Sequence, residues 1–328
     1  MAEPLLRLAG VSRRFDVSRP ALQRWLAREK RQFLSAVDDV SFAIPAGTTL
    51  SLVGESGCGK STVARLAVGL LAPSAGEIRF DGQPLAAARA DPGQRRRMNM
   101  IFQDPYASLN PRWRVRDIVA EPLRAFGIGA DVPARVAELL GQVGLAGADG
   151  ERFPHEFSGG QRQRISIARA LAAAPSLLVC DEPTSALDVS VQAQILNLMR
   201  DLQQLLGLTY LFISHNLAVV RHMSDRLGVM YLGRVVELGP AEAVFASPRH
   251  PYTRLLLEAV PDLERVGSAR TPVGGEVPSP IDPPSGCPFH PRCPQAVDRC
   301  RAEKPPVRRI GAVDVACHLA EEGPAAPH

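Results

Sequence analysis

The sequence predicts an α/β fold built on a largely parallel sheet, and three observations carry that expectation. The apolar, β-branched runs TTLSLVG, MNMIF, SLLVCD, LTYLFIS and RLGVMYL read as buried strands. Helix-period stretches separate several of them: 161–174, stopped by Pro175; 190–206, stopped by Gly207; and 217–222. The first run passes directly into the Gly-rich turn ESGCGKS and then a helix, TVARLAVGLL. Buried strands alternating with helices are the pattern of a parallel sheet covered on both faces.

The remaining stretches follow in chain order. The N-terminus MAEPLLRLAG lacks the charged start and long apolar core of a signal peptide, and no apolar run approaches the length of a membrane span. LQRWLAREKRQFL places Leu22, Trp25, Leu26 and Phe33 at roughly helical spacing, which predicts a packed amphipathic helix. The basic residues from Arg7 to Arg31 are expected to form a solvated face. SAGEIRFDG reads as a short strand of a small antiparallel sheet. From about 104 to 155 the pattern is mostly helical, as in a helical insert. Beyond Val260, TPVGGEVPSPIDPPSG is an extended Pro- and Gly-rich linker leading to a cysteine-containing tail. With 45% hydrophobic and 22% charged residues, the 328-residue chain can bury a core and stay in solution. Its formal charge of +4 is too small to argue for nucleic acid as a partner.

The chemistry begins at GESGCGKS, Gly54 to Ser61, a full match to G-x-x-x-x-G-K-[ST]. Gly57 and Gly59 permit a tight turn whose N–H groups, with those of Glu55, Ser56, Cys58 and Thr62 nearby, point inward at phosphates. The helix that follows adds its positive end. Lys60 supplies a compact ammonium to the β- and γ-phosphates, and the Ser61 hydroxyl suits Mg²⁺. Only three of the 38 basic residues are lysines (Lys30, Lys60 and Lys304), so lysine at position 60 stands against the composition. A chance Gly-rich turn would have no reason to keep it. The strand SLLVCDEP delivers two carboxylates, Asp181 and Glu182, at its C-terminal end, where ligands of open α/β sheets bind. Asp181 is expected to support Mg²⁺ through water, and Glu182 to polarise the attacking water. Cys58 and Cys180 read as small fillers. FSGGQRQR then offers a second anion-binding helix start at Ser158, Gly159, Gly160 and Gln161. One nucleotide does not need two such sites, so the second is expected to serve a nucleotide held by another subunit.

With these motifs in this order the chain resembles the ATP-binding subunit of an ABC transporter. The set comprises Walker A at Gly54–Ser61, the Gln-loop at Gln103 in FQDPYASLNP, the signature at Ser158–Gln161, Walker B at Asp181–Glu182, the D-loop SALD ending at Asp188, and the switch histidine His215 in ISHN. A lone histidine is more often a core residue; one at a strand end, 34 residues after Asp181 (215 − 181), fits the switch. The resemblance implies a P-loop NTPase with a RecA-like parallel-sheet core, a small antiparallel β subdomain and a helical subdomain at about 104–170. It implies an ABC domain over 1–262, followed over 263–328 by a C-terminal extension. It also assigns roles. Phe15 stacks on adenine. Gln103 touches Mg²⁺ and the attacking water and reports nucleotide state to the membrane subunit. Ser158 and Gly160 reach the γ-phosphate of the opposite subunit, Asp188 communicates across the dimer, and His215 holds the γ-phosphate. The family usually writes His-Asp at the switch, where this chain has His215-Asn216.

FQDPYASLNPR, EPTSALDVSVQAQILNLM, SPRHPYTRLLL and PSPIDPPSGCPFHPRCP look specifically like the dipeptide/oligopeptide (Opp/Dpp) importer group. The insert before AVDDVSF and the Phe-led signature look like its second, F-type ATPase subunit. That resemblance implies ATP and Mg²⁺ as cofactors, a second and non-identical ATPase subunit, two transmembrane permease subunits, an external substrate-binding protein, and a peripheral position on the cytoplasmic face of a bacterial inner membrane. A soluble ABC ATPase of a non-transport machine is the alternative.

Four of the six cysteines, Cys287, Cys293, Cys300 and Cys317, lie in the tail, with five, six and sixteen residues between them. A disulfide framework does not suit a cytosolic ATPase. Structural zinc ordinarily has a tighter pair, although His290 and His318 are available as substitutes. A four-thiolate iron–sulfur cluster tolerates looser spacing, and the resemblance points to a [4Fe-4S] cluster. Four unligated small residues in a packed tail remain the plain alternative.

Overall fold

The computed structural model describes residues 3–27, 30–104, 108–129, 131–258 and 276–320. Its strands are β1 (Leu6–Asp16), β2 (Phe33–Ile44), β3 (Thr49–Val53), β4 (Ala75–Phe80), β5 (Gln83–Pro84), β6 (Met98–Ile101), β7 (Leu177–Asp181), β8 (Thr209–Ile213), β9 (Arg226–Tyr231), β10 (Arg234–Pro240), β11 (Arg308–Ile310) and β12 (Val313–Val315). Eight of them form one sheet in the order β11-β12-β10-β9-β3-β8-β7-β6. The run from β9 to β6 is parallel, and β10, β12 and β11 add antiparallel strands at one edge. A second sheet, β2-β1-β4-β5, is antiparallel throughout and contains the stretch SAGEIRFDG.

The continuous apolar strands are explained by burial on both faces. Along β7, Leu177 and Val179 join the core shared with the antiparallel sheet and the helix Lys60–Ala67. The alternate residues Leu178 and Cys180 join a second core, made with the helices Val115–Phe126, Val132–Gln142 and Gly159–Leu171. Strand β8 repeats this, with Leu211 and Ile213 on one side and Tyr210 and Phe212 on the other. Side chains of a strand alternate between faces, so a strand with no polar face must be covered twice. The helical insert is one of those covers.

The N-terminal expectation is corrected. Among the described residues of this stretch the helix is Ala21–Ala27, and Phe33 opens β2. Trp25 and Leu26 are 76% and 69% exposed, so these two do not pack as expected. Among the described residues nothing covers Trp25 and Leu26, and the long β1–β2 pairing claims Phe33 instead.

The tail is woven into the core sheet. Strand β12 pairs with β10, matching Glu237 with Val315, and Ala316 N–H donates to the Val236 carbonyl at 2.8 Å. Cys287, Phe289 and Cys300 share a core with Tyr231 and Tyr252, and the Phe289 ring meets Tyr231 edge-on at 5.2 Å. Of the Pro-rich linker TPVGGEVPSPIDPPSG, residues 271–275 lie outside the described residues, and 276–286 carry neither helix nor strand, as an extended linker should.

Candidate functional site: a nucleotide-binding cassette

The phosphate loop connects β3 to the helix Lys60–Ala67. Its glycines are required by contact. A Cβ on Gly54 would lie 2.2 Å from the Met230 carbonyl oxygen, and one on Gly59, at φ 105°, would lie 2.2 Å from that of Ala36. Any side chain would therefore push the loop off β9 and β2. Lys60 is only 5% exposed, and its Nζ donates to the Gly54 carbonyl at 2.7 Å and the Glu55 carbonyl at 2.9 Å. Among the described residues no carboxylate pairs with it. A buried ammonium held by two carbonyls and, at 3.6 Å, by the Cys58 sulfur, with no counter-charge from these neutral groups, is prepared for an anionic ligand. Burial pushes the neighbouring Cys58 thiol up, in keeping with its role as a filler.

Ser61 Oγ donates to Asp181 Oδ1 at 3.0 Å. Burial is the main influence on Asp181 and raises its carboxyl, and the adjacent Glu182 adds to that rise, while the Ser61 hydroxyl opposes it. A hydroxyl and a buried carboxylate at the rim of a phosphate loop form the hard oxygen donor set that Mg²⁺ takes, so these residues fit that ion.

Glu182 gathers the catalytic candidates. Its backbone stands at φ 48°, a left-handed conformation unusual for glutamate. The turn is tied by Glu182 N–H to the Ile213 carbonyl at 2.9 Å and by Ser185 to the Glu182 carbonyl. Glu182 Oε2 accepts from Gln103 Nε2 at 3.2 Å and lies 3.1 Å from His215 Nδ1. Residues 103, 182 and 215, distant in sequence, thus meet on one oxygen. Asn216 does not disturb this. Its Oδ1 caps the helix Leu217–Met223, accepting from Ala218 N–H at 3.0 Å and Val219 N–H at 3.4 Å. Asparagine and aspartate are equivalent caps, which accounts for the departure from the usual His-Asp.

The signature residues form a separate surface. Ser158 caps the helix Gly159–Leu171 reciprocally with Gln161: Ser158 Oγ accepts from Gln161 N–H at 3.3 Å, and Gln161 Oε1 accepts from Ser158 N–H at 3.0 Å. A Cβ on Gly160 would lie 2.4 Å from Val191 Cγ1, so the helix start is packed tightly on the helix Val189–Leu206. Asp188 caps that second helix, and the Val191 N–H and Ser190 hydroxyl hold its carboxyl below the usual range. Among the described residues Ser158, Gly160 and Asp188 make no hydrogen bond to the phosphate loop; the side-chain bonds of Ser158 and Asp188 cap their own helices. Phe15 is half-buried on β1 with the Arg13 guanidinium 4.7 Å from its ring centre.

Two residues without a recognised motif role also reach the loop. The Tyr252 hydroxyl accepts from Glu55 N–H, and Arg292 pairs with the Glu55 carboxylate. The only signal available for them was their place inside HPYT and CPFHPRCP, which marked a branch and not a contact.

The tail cysteines come close to one another without forming a ligand set. Burial pushes the Cys287 thiol up to about 11, and the neighbouring Cys300, Cys317 and Cys293 raise it further. Cys317 packs separately with Ile310 and Val315. Among the described residues no group of three or more histidine, cysteine, aspartate or glutamate side chains is arranged to hold a metal ion. The placement of these thiols adds no support for the expected iron–sulfur cluster or for zinc.

Comparison with known proteins agrees with this geometry. Residues 37–185 match the model of the ABC transporter family, and residues 236–300 match that of the oligopeptide/dipeptide transporter C-terminal region. The di/tripeptide transport ATP-binding protein DppF of Pseudomonas aeruginosa is 48% identical over 98% of this chain and 99% of its own length. The chain belongs to the peptide-import ATP-binding subunits of ABC transporters. The oligopeptide transport ATP-binding protein AppF of Bacillus subtilis is 47% identical over 97% of this chain and 98% of its own. Both names bear the F of the expected second ATPase subunit. Among solved structures, a dimeric ATP-binding cassette in a post-hydrolysis state with ADP and Pi superposes with a TM-score of 0.61 at 26% identity, covering 72% of this chain and 98% of that one. This ABC subunit hydrolyses ATP to drive transport, and it acts with membrane permease subunits and another ATPase subunit. The alternative, a soluble non-transport machine, finds no support among these relatives. No helix among the described residues is long and apolar enough to cross a membrane.

Proposed function

We propose that this subunit binds MgATP at Gly54–Thr62, hydrolyses it with Glu182 as base, and thereby powers uptake of di- or oligopeptides. The observation that carries the reading is the convergence of Gln103, Glu182 and His215 on one carboxylate oxygen, beside a phosphate loop whose lysine has no carboxylate partner among the described residues. Mg²⁺ would be held by Ser61 and Asp181, with Gln103 nearby, and would neutralise charge on the phosphates. Glu182 accepts the proton of the attacking water, and His215 and Gln103 hold that carboxylate in place. Lys60 takes up negative charge on the leaving phosphates. Catalysis is then mostly positioning and charge stabilisation.

Ser158–Gln161 of each subunit faces the nucleotide of the other, Asp188 carries the signal between the two sites, and Phe15 packs on adenine. The chain divides into a cassette over 1–262 and an extension over 263–328. The partner ATPase is a different chain, as in other two-ATPase importers, and the pair docks beneath two permeases at the cytoplasmic face of a bacterial inner membrane, fed by an external binding protein. The test is reconstitution of the full complex with a screen for peptides that, on the binding protein, stimulate ATP hydrolysis. Stimulation by no peptide would remove the cargo assignment.

The iron–sulfur reading of the tail, with zinc as its alternative, stands on its four cysteines and on the resemblance. Anaerobic purification followed by iron, sulfide and zinc analysis decides it. About one cluster per chain supports the reading; neither metal leaves four packed thiols.

A further inference from the structure

The C-terminal extension reaches the phosphate loop through the Arg292 side chain. Arg292 ends the short 3₁₀ turn His290–Arg292, one residue before Cys293. Its side chain is 3% exposed, and its guanidinium grips Glu55 through two parallel bonds, Nη1 to Oε2 at 2.7 Å and Nη2 to Oε1 at 2.9 Å. Glu55 is the first variable residue of GESGCGKS. Its N–H donates to the Tyr252 hydroxyl at 2.9 Å, and its carbonyl accepts from Lys60 Nζ at 2.9 Å. All three polar groups of one loop residue are therefore engaged, two of them by side chains from beyond residue 250. The guanidinium is itself backed by the Tyr231 ring, 5.7 Å away, and that ring packs against Tyr252 and Phe289.

We propose that Arg292 is a positioning residue for ATP: with Tyr252 it fixes the backbone at Glu55, so that the Lys60 ammonium is held at the mouth of the phosphate loop. This rests on the reading of Gly54–Ser61 as the nucleotide site. A buried guanidinium is tolerated only where its geometry is good enough to offset its desolvation. The fork-to-fork pairing supplies that geometry, and lysine would not reproduce it. Among the described residues Glu55 makes no bond to Glu182, Gln103 or His215, so the pair acts on nucleotide binding and leaves the hydrolytic carboxylate alone. The extension then forms part of the ATP site.

The test compares KM for ATP and kcat in the assembled complex for the wild type, Arg292→Gln, Arg292→Lys, Glu55→Gln and the double variant, alongside MgATP titration of each full-length chain. Arg292→Gln and Glu55→Gln are each expected to raise KM and Kd by about tenfold with kcat within about twofold, the pattern of lost binding without lost chemistry. Arg292→Lys should recover little, and the double variant should be no worse than the poorer single one. Arg292→Gln with a lowered Tm but wild-type KM and Kd would reduce the pair to a structural tie and overturn the proposal. If Arg292→Gln does not fold, Glu55→Gln, which leaves the arginine in place, decides on the same readouts. Lys60→Ala separates the two levels of inference. ATP binding that survives it would sink the nucleotide-site reading. Loss of binding there, with wild-type affinity in both pair variants, would sink this proposal alone.

Discussion

Acidification should weaken this fold through a single histidine. His250 is 1% exposed, and its Nδ1 accepts the Tyr252 N–H at 3.1 Å. Burial, with Arg254 acting in the same direction, pushes its pKa down to about 3. In the unfolded chain a histidine titrates at about 6.5. The folded value is the lower one, so protons prefer the unfolded state. The stabilising contribution is complete above about pH 6.5 and is lost as pH falls through the window down to about 3. Glu237 faces the same segment and accepts from the Arg249 and His250 N–H groups at 2.7 and 3.0 Å. Burial raises its carboxyl, so its contribution has the opposite sign and grows as pH falls. The wild-type slope is a sum, and a variant is needed to isolate the histidine. Binding one extra proton in the unfolded chain costs about 1.4 kcal/mol at about pH 5.5 and about 2.7 kcal/mol at about pH 4.5. His250→Asn keeps an acceptor near the Nδ1 position and removes the titration. Urea unfolding at about pH 7.5 and about pH 5.5 should show the wild type losing about 1.4 kcal/mol more than the variant between the two conditions. Equal losses, or a His250 resonance that titrates near 6.5 in the folded protein, would refute the reasoning.

Three further outcomes are expected. Glu182→Gln should cut turnover by at least about 100-fold while MgATP binding stays within about twofold, read by phosphate release and nucleotide titration. Asn216→Ala removes two bonds at the start of the helix Leu217–Met223 and should cost about 1 kcal/mol in chemical unfolding, whereas Asn216→Asp should be close to neutral. Gly160→Ala drives a methyl to 2.4 Å from Val191 Cγ1, so thermal unfolding should report a loss of about 1–3 kcal/mol, with turnover in the assembled complex falling as the signature helix shifts.

The central sheet was readable because each buried strand is a short apolar run with a turn at its end, and β7 and β8 lie within a residue or two of their runs. The hydrolytic residues were readable for a related reason. Phosphate chemistry requires fixed residue types on a Gly-rich loop and at strand ends, so Lys60, Asp181 and Glu182 leave a local trace. Trp25 and Leu26 misled because periodicity reports a face without reporting whether anything covers it. Arg292 left no trace of its contact. Its partner lies 237 residues away, and an arginine among cysteines gives no sign of which carboxylate it will meet. The placement of β12 beside β10 was hidden likewise, since strands of three residues carry almost no pattern.

The long reach of Arg292 bears on the order in which the protein is made. A ribosome releases the phosphate loop early, when neither Tyr252 nor the guanidinium that engages Glu55 has been synthesised. Strand β10 likewise waits for β12, and Asp38 for Lys304, 266 residues later. Domains consolidate as their parts emerge, so the nascent cassette has its central strands before its phosphate loop has its full set of supports. The segment that carries Tyr252 and Arg292 acts as a completion step, and a product truncated before it that retains every nucleotide motif would still lack the grip on Glu55.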